Sequence, residues 1–167
     1  MNNKKFNRLL FKIINYYQPK SILLVDETLG ITASYMALAN TESTVTSYHS
    51  HASTIKLPSE TTTHLNIQNI SFSSHENSLQ HHQAWDLVFI NPKNTTLLTE
   101  QLNKIIPQLH SQSILIVNNI HIYGELETIW YHLQTDTSVT LTIDLFQMGL
   151  VFFRPENKVA QHFTIRF

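Results

Sequence analysis

Residues 21–32 read Ser21-Ile22-Leu23-Leu24-Val25-Asp26-Glu27-Thr28-Leu29-Gly30-Ile31-Thr32, and their order decides the fold. Ser21 to Val25 is a short unbroken apolar run, as expected of a strand buried on both faces. A turn through Thr28 follows, and Gly30 opens a helix over 31–39. Strand, tight turn and helix in that order are the unit of a parallel sheet covered by helices. Working outward, Phe6, Leu9, Leu10, Ile13, Ile14 and Tyr17 recur at helical spacing, and Pro19 ends that first helix. Ser43 to Tyr48 is a second strand rich in β-branched residues. Residues 49–64 are weakly patterned, with a helix expected at 58–64, and Ile67 to Ser73 alternates as a third strand. Asp86 to Ile90 and Ser113 to Val117 are further buried strands, separated by a helix over 95–110. A helix over 125–133 precedes two strands, 139–146 and 150–154, which flank Gly149 and predict an antiparallel pair turning there; 163–167 adds a last segment. The expected fold is α/β: one domain over 1–167, a doubly wound, Rossmann-like, mostly parallel sheet with helices on both faces and an antiparallel strand pair at its C-terminal end.

Bulk composition narrows the function classes. The chain has 167 residues, enough for one substantial core, and 42% of them are hydrophobic. Eleven Lys and Arg against twelve Asp and Glu leave a net charge of −1. No basic run or stripe is visible, so neither nucleic acid nor a membrane is expected as a partner. The absence of cysteine excludes disulfides, thiolate metal sites and a cysteine nucleophile. Lys4, Lys5 and Arg8 precede apolar residues, but no signal peptide or membrane span is read, and a cytoplasmic location is expected. Only Gly30, Gly124 and Gly149 are glycines, which excludes a Walker loop and a complete G-x-G-x-x-G fingerprint.

In an open parallel sheet, ligands bind beyond the carboxyl ends of the strands. The residues at those places are Asp26, His49, Asn91, Asn118 and Asn119, of which one is a carboxylate.

The Thr28-Leu29-Gly30-Ile31-Thr32 turn, the Trp85-Asp86-Leu87-Val88-Phe89-Ile90 strand and the tail from Ile143 through Gly149 to Arg154 together resemble the class I S-adenosylmethionine-dependent methyltransferases. The likeness is to their O-methyltransferase-like bacterial branch and runs from about Leu9 to Phe167. Gln161-His162-Phe163-Thr164-Ile165-Arg166 is similar to the C-terminus of one such group. The resemblance implies S-adenosylmethionine as cofactor, with Asp26, Glu27, Thr28, Gly30, His49 and Asn91 as its binding positions. It places Asn118 and Asn119 at the acceptor and His121 as the candidate general base.

This chain departs from the family's pattern at each motif. The first motif is an acid with glycines two and six residues later. Aligned on Gly30 as the last glycine, the acid position holds Leu24 and the first glycine position Asp26; this frame is preferred. In the other frame Asp26 is the acid and Thr28 stands where a glycine belongs. The family's ribose-binding acid falls on Tyr48 or His49. Neutral imidazole offers one acceptor, whereas a carboxylate accepts from two hydroxyls. With hydrogen bonds to charged groups at roughly 1.5–3 kcal/mol, its loss weakens cofactor binding roughly ten- to a hundredfold. Metal-dependent members carry a carboxylate where this chain has Asn91 and an Asp-Asp or Asp-Asn pair where it has Asn118-Asn119, so no metal is expected.

Other readings carry less. Asn118 and Asn119 also suit backbone capping at a strand end. Asn91-Pro92 begins the Asn-Pro-Pro-aromatic motif of amino-group methyltransferases, but Lys93 and Asn94 fail its second half. His75, His81 and His82, with His49 or His51, lack metal-ligand spacing. Residues 23–27 and 86–91 also resemble strands of phosphoacceptor receiver domains, with Asn91 at the phosphorylated position, although the strand separation is too long. Two functions remain: a pseudo-enzyme with weakened or lost cofactor binding that acts by binding a small molecule or a protein, and an active metal-independent O-methyltransferase on a small acceptor. A homodimer is compatible with either.

Overall fold

A computed structural model describes residues 4–79 and 84–166. The chain divides into two compact units, 1–79 and 80–167. In the first, α1 (Lys4–Tyr17), α2 (Ile31–Ala39) and α3 (Lys56–His64) accompany β1 (Ser21–Val25), β2 (Thr44–Tyr48) and β3 (Ile70–Ser73). The strand order is β3-β2-β1, all parallel, with Ser21 opposite Thr44 and Val45 opposite Ile70. Every residue of β1 is buried, which is why it carries no polar alternation. α2 packs on α1 and on α3.

The second unit contains β4 (Trp85–Ile90), α4 (Thr95–Ile105), β5 (Leu109–Asn118), α5 (Gly124–Thr135), β6 (Leu141–Asp144), β7 (Met148–Phe152) and β8 (Gln161–Thr164). Its strands lie in the order β4-β5-β7-β6-β8. β4 and β5 are parallel, β7 runs antiparallel to both β5 and β6, and β8 is parallel to β6. The late strand is thus inserted between β5 and β6 in the opposite direction. A receiver domain has no such strand, so that rival reading is removed. No helix among the described residues is long and apolar enough to cross a membrane.

Three sequence expectations are corrected. The helix expected over 95–110 stops at Ile105, because Pro107 lies in a short 3-10 turn and β5 already begins at Leu109. Gly149 does not make the hairpin turn. The turn is Leu145 to Gln147, with Phe146 at φ 65°, and Gly149 sits inside β7. A Cβ there would lie 2.3 Å from the Trp130 ring, so the glycine is needed where the indole lies on the strand. Finally, a basic row exists that no run in the sequence displays: α1 places Lys4, Arg8 and Lys12 at intervals of four residues along one exposed face.

Candidate functional site

At the end of β1 the chain turns through Asp26, a buried residue with φ 57°. Its amide donates to the Tyr48 carbonyl at 2.8 Å. Its carboxylate accepts from the Ser50 amide at 2.8 Å and from the Ser50 hydroxyl at 2.5 Å. The ends of β1 and β2 are therefore tied together by an acid and a serine. Leu24, two residues earlier, is fully buried.

Glu27 closes the next part of the loop. Its carboxylate accepts from the Gly30 amide at 2.6 Å and the Leu29 amide at 3.3 Å. Gly30 begins α2 with no side chain to cap it, so Glu27 supplies the acceptor that the first amides of a helix require. Burial raises the Glu27 pKa above the ordinary carboxylate range, against the opposing pull of these amide bonds. Thr28 stands exposed at the tip of the turn. Gly30 has φ 76°, and a Cβ on it would come within 2.8–2.9 Å of Pro58 and Thr61. The motif glycine therefore lets α3 approach α2.

His49 is fully buried. Its Nε2 lies 3.0 Å from the Ser47 hydroxyl and its Nδ1 3.2 Å from the Thr54 hydroxyl. A neutral imidazole donates from one nitrogen and accepts at the other, so both are engaged. His51 and His75 are exposed, while His81 and His82 lie outside the described residues. Among the described residues, no group of three His, Cys, Asp or Glu side chains is placed to hold a metal ion.

In the second unit, Asn118 at the end of β5 donates from Nδ2 to Asn91 Oδ1 at 2.9 Å. Asn118 is buried, and its own Oδ1 has no hydrogen-bond partner. Asn119 takes the left-handed turn position, φ 58°, and its amide donates to the Gln147 carbonyl. Asn94, in the half of the Asn-Pro stretch that fails the family motif, is the cap of α4: its Oδ1 accepts from the Leu97 amide at 2.9 Å.

His121 is held on both sides. Nδ1 lies 2.9 Å from Glu127 Oε1 and Nε2 lies 2.7 Å from Asp144 Oδ2. Burial pulls its pKa down, but the hydrogen bond and charge of Asp144, then those of Glu127, outweigh it and raise the pKa above the usual histidine range. Phe146 stacks loosely at 6.1 Å. Sequence reading missed both carboxylates. Asp144 was findable as the acid closing an apolar strand; Glu127 reaches His121 only because α5 folds back toward the β5 end.

No family model matches the chain, and no curated protein matches it by sequence. Solved structures do match. The O-methyltransferase TomG from Streptomyces achromogenes, in complex with S-adenosylmethionine, superposes with a TM-score of 0.77 at 12% identity, over 92% of this chain and 82% of that one. An S-adenosylhomocysteine-bound methyltransferase from Podospora anserina gives 0.79 at 12%, over 92% and 80%. The O-methyltransferase of Bacillus cereus, also in complex with S-adenosylhomocysteine, gives 0.74 at 9%, over 91% and 82%. The chain thus has the Rossmann-like fold of the class I S-adenosylmethionine-dependent methyltransferases. The antiparallel β7 between β5 and β6 is part of that likeness.

Proposed function

We propose that this chain is a methyltransferase-fold protein with weakened or lost cofactor binding, which acts by binding a partner and not by methyl transfer. The observation that carries this reading is the Asp26–Ser50 clamp. Asp26 and Gly30, four residues apart, both have positive φ, which favours the frame in which each occupies a glycine position of the family's first motif. A side chain then stands where cofactor would approach bare backbone, and its charge is already matched by Ser50.

The neighbouring groups support the same reading. Glu27 occupies the amides at the start of α2, and both nitrogens of His49 are engaged by the Ser47 and Thr54 hydroxyls. Leu24, at the acid position, is an apolar core residue. These residues do not fit S-adenosylmethionine. His121 does not fit the role of general base either: both its nitrogens face carboxylates, and its raised pKa favours the imidazolium form, which has no lone pair with which to take a proton. It serves as a cross-link between α5 and β6.

One observation favours the second reading, an active metal-independent O-methyltransferase: Asn118 Oδ1 is buried and unmatched, an acceptor suited to a substrate hydroxyl. Calorimetry with S-adenosylmethionine and S-adenosylhomocysteine separates the two. Absence of heat at millimolar ligand is expected; micromolar binding by the wild-type chain would overturn the proposal. The substitutions Asp26→Gly, Leu24→Glu and His49→Asp together should restore measurable affinity.

A further inference from the structure

A second concave surface lies among the helices of the first unit. Phe11 from α1, Ile31, Tyr35 and Leu38 from α2, and Leu65 just after α3 line an apolar groove of about 230 Å³. Ser34 also borders it, but its hydroxyl is turned to the Gly30 carbonyl at 2.6 Å and offers the groove no polarity. Phe11, Leu38 and Leu65 are 37%, 51% and 50% exposed, so three large apolar side chains share one open face. An occupant of the groove would take the exposed parts of these side chains out of water.

The rim says what the groove suits. Arg8 lies three residues before Phe11 on α1, one turn away, and Lys4 lies seven before it, two turns along the same face of the helix. Lys12 continues the row. No acidic residue occurs in α1, and among the described residues Lys4, Arg8 and Lys12 form no ion pair. An apolar trough with an unmatched cationic edge on one side is complementary to a molecule with one alkyl chain and one anionic head. A small anion would leave the trough wet, and an uncharged chain would leave the rim unmatched.

We propose that this groove binds a free fatty acid, its chain lying over α2 between α1 and α3 and its carboxylate held by Arg8 and Lys4. The site uses none of the strand-end residues, so its failure would leave the reading of the cofactor loop untouched.

The test is calorimetry of the full chain with octanoate and octanol, followed by an octanoate-to-decanoate series below micelle formation. Octanoate should bind at one site and at least tenfold more tightly than octanol. Affinity should rise about fourfold per added methylene until the groove is full. Arg8→Glu should weaken octanoate about tenfold and leave octanol unchanged, while Leu38→Asp should weaken both. Each variant replaces an exposed side chain, and an unchanged urea midpoint checks its fold. Equal affinity for octanol and octanoate would overturn the proposal. So would binding to phosphatidylglycerol vesicles without binding to octanoate, or a dimer that Leu38→Asp dissolves in a chain that ignores octanoate.

Discussion

The loop after β1 and the loop after β5 both sit at strand ends where this fold places ligands, yet their polar groups are satisfied in different ways. After β1, Asp26 has Ser50, Glu27 has two amides, and His49 has two hydroxyls. After β5, His121 is doubly bound, but Asn118 keeps a buried acceptor with no partner. A buried polar group left unmatched costs free energy, whereas a matched one does not. The first loop is therefore a closed structural turn, whereas at the second the Asn118 acceptor is unmatched by any described protein group.

The contrast can be broken most sharply at glycine. Gly30→Ala adds a Cβ at positive φ and against Pro58 and Thr61, and should cost about 3 kcal/mol of stability in urea unfolding. Gly124, with nothing within 4 Å of its Cβ position, should instead accept alanine with a change of only a few tenths of a kcal/mol. Because Gly30 holds α3 in place, loss of function in a Gly30 variant says nothing about cofactor.

Asp26→Ala strips Ser50 of its acceptor and should cost about 2 kcal/mol. Asp26→Gly should cost about 1 kcal/mol less, since glycine adopts the left-handed conformation without strain. If the two variants unfold at the same urea concentration, the positive φ at this position is not a source of strain.

Titration distinguishes the two units. The folded pKa of His121 is raised, so its contribution is fully present below the unfolded value near 6.5 and is lost as pH rises through the folded value. Glu27 is also raised, by burial, so its contribution is present below about 4.5 and fades as pH climbs through its own folded value. The urea midpoint should therefore fall in two windows, the upper one absent in His121→Gln and the lower one in Glu27→Gln. A His121→Gln protein with an unaltered slope above pH 6.5 would refute the cross-link. Asn118→Leu removes an unmatched acceptor but also the donor to Asn91 Oδ1, and should cost about 1 kcal/mol; a loss well above about 2 kcal/mol would mean that Oδ1 has a donor as well.

Most of the fold was legible because buried strands are short apolar runs: Ser21–Val25 and Trp85–Ile90 could be read directly. The α4–β5 boundary was not, since Leu109 and His110 join β5 through partners far away in sequence. Leu109 pairs with Trp85, and His110 Nε2 meets Asp86 at 2.9 Å. The site positions were legible as strand ends. Their condition was not, because a sequence shows a histidine at position 49 but not that Ser47 and Thr54 engage its ring.

The sequence alone determined the order of strands and helices, the scarcity of glycine and the presence of a single carboxylate among Asp26, His49, Asn91, Asn118 and Asn119. These depend on residue type and local periodicity. Tertiary structure decided that Asp26 closes on Ser50, that Gly149 makes room for Trp130 and that His121 lies between two carboxylates. Each of those depends on a partner brought close by folding, at a separation that no local pattern encodes.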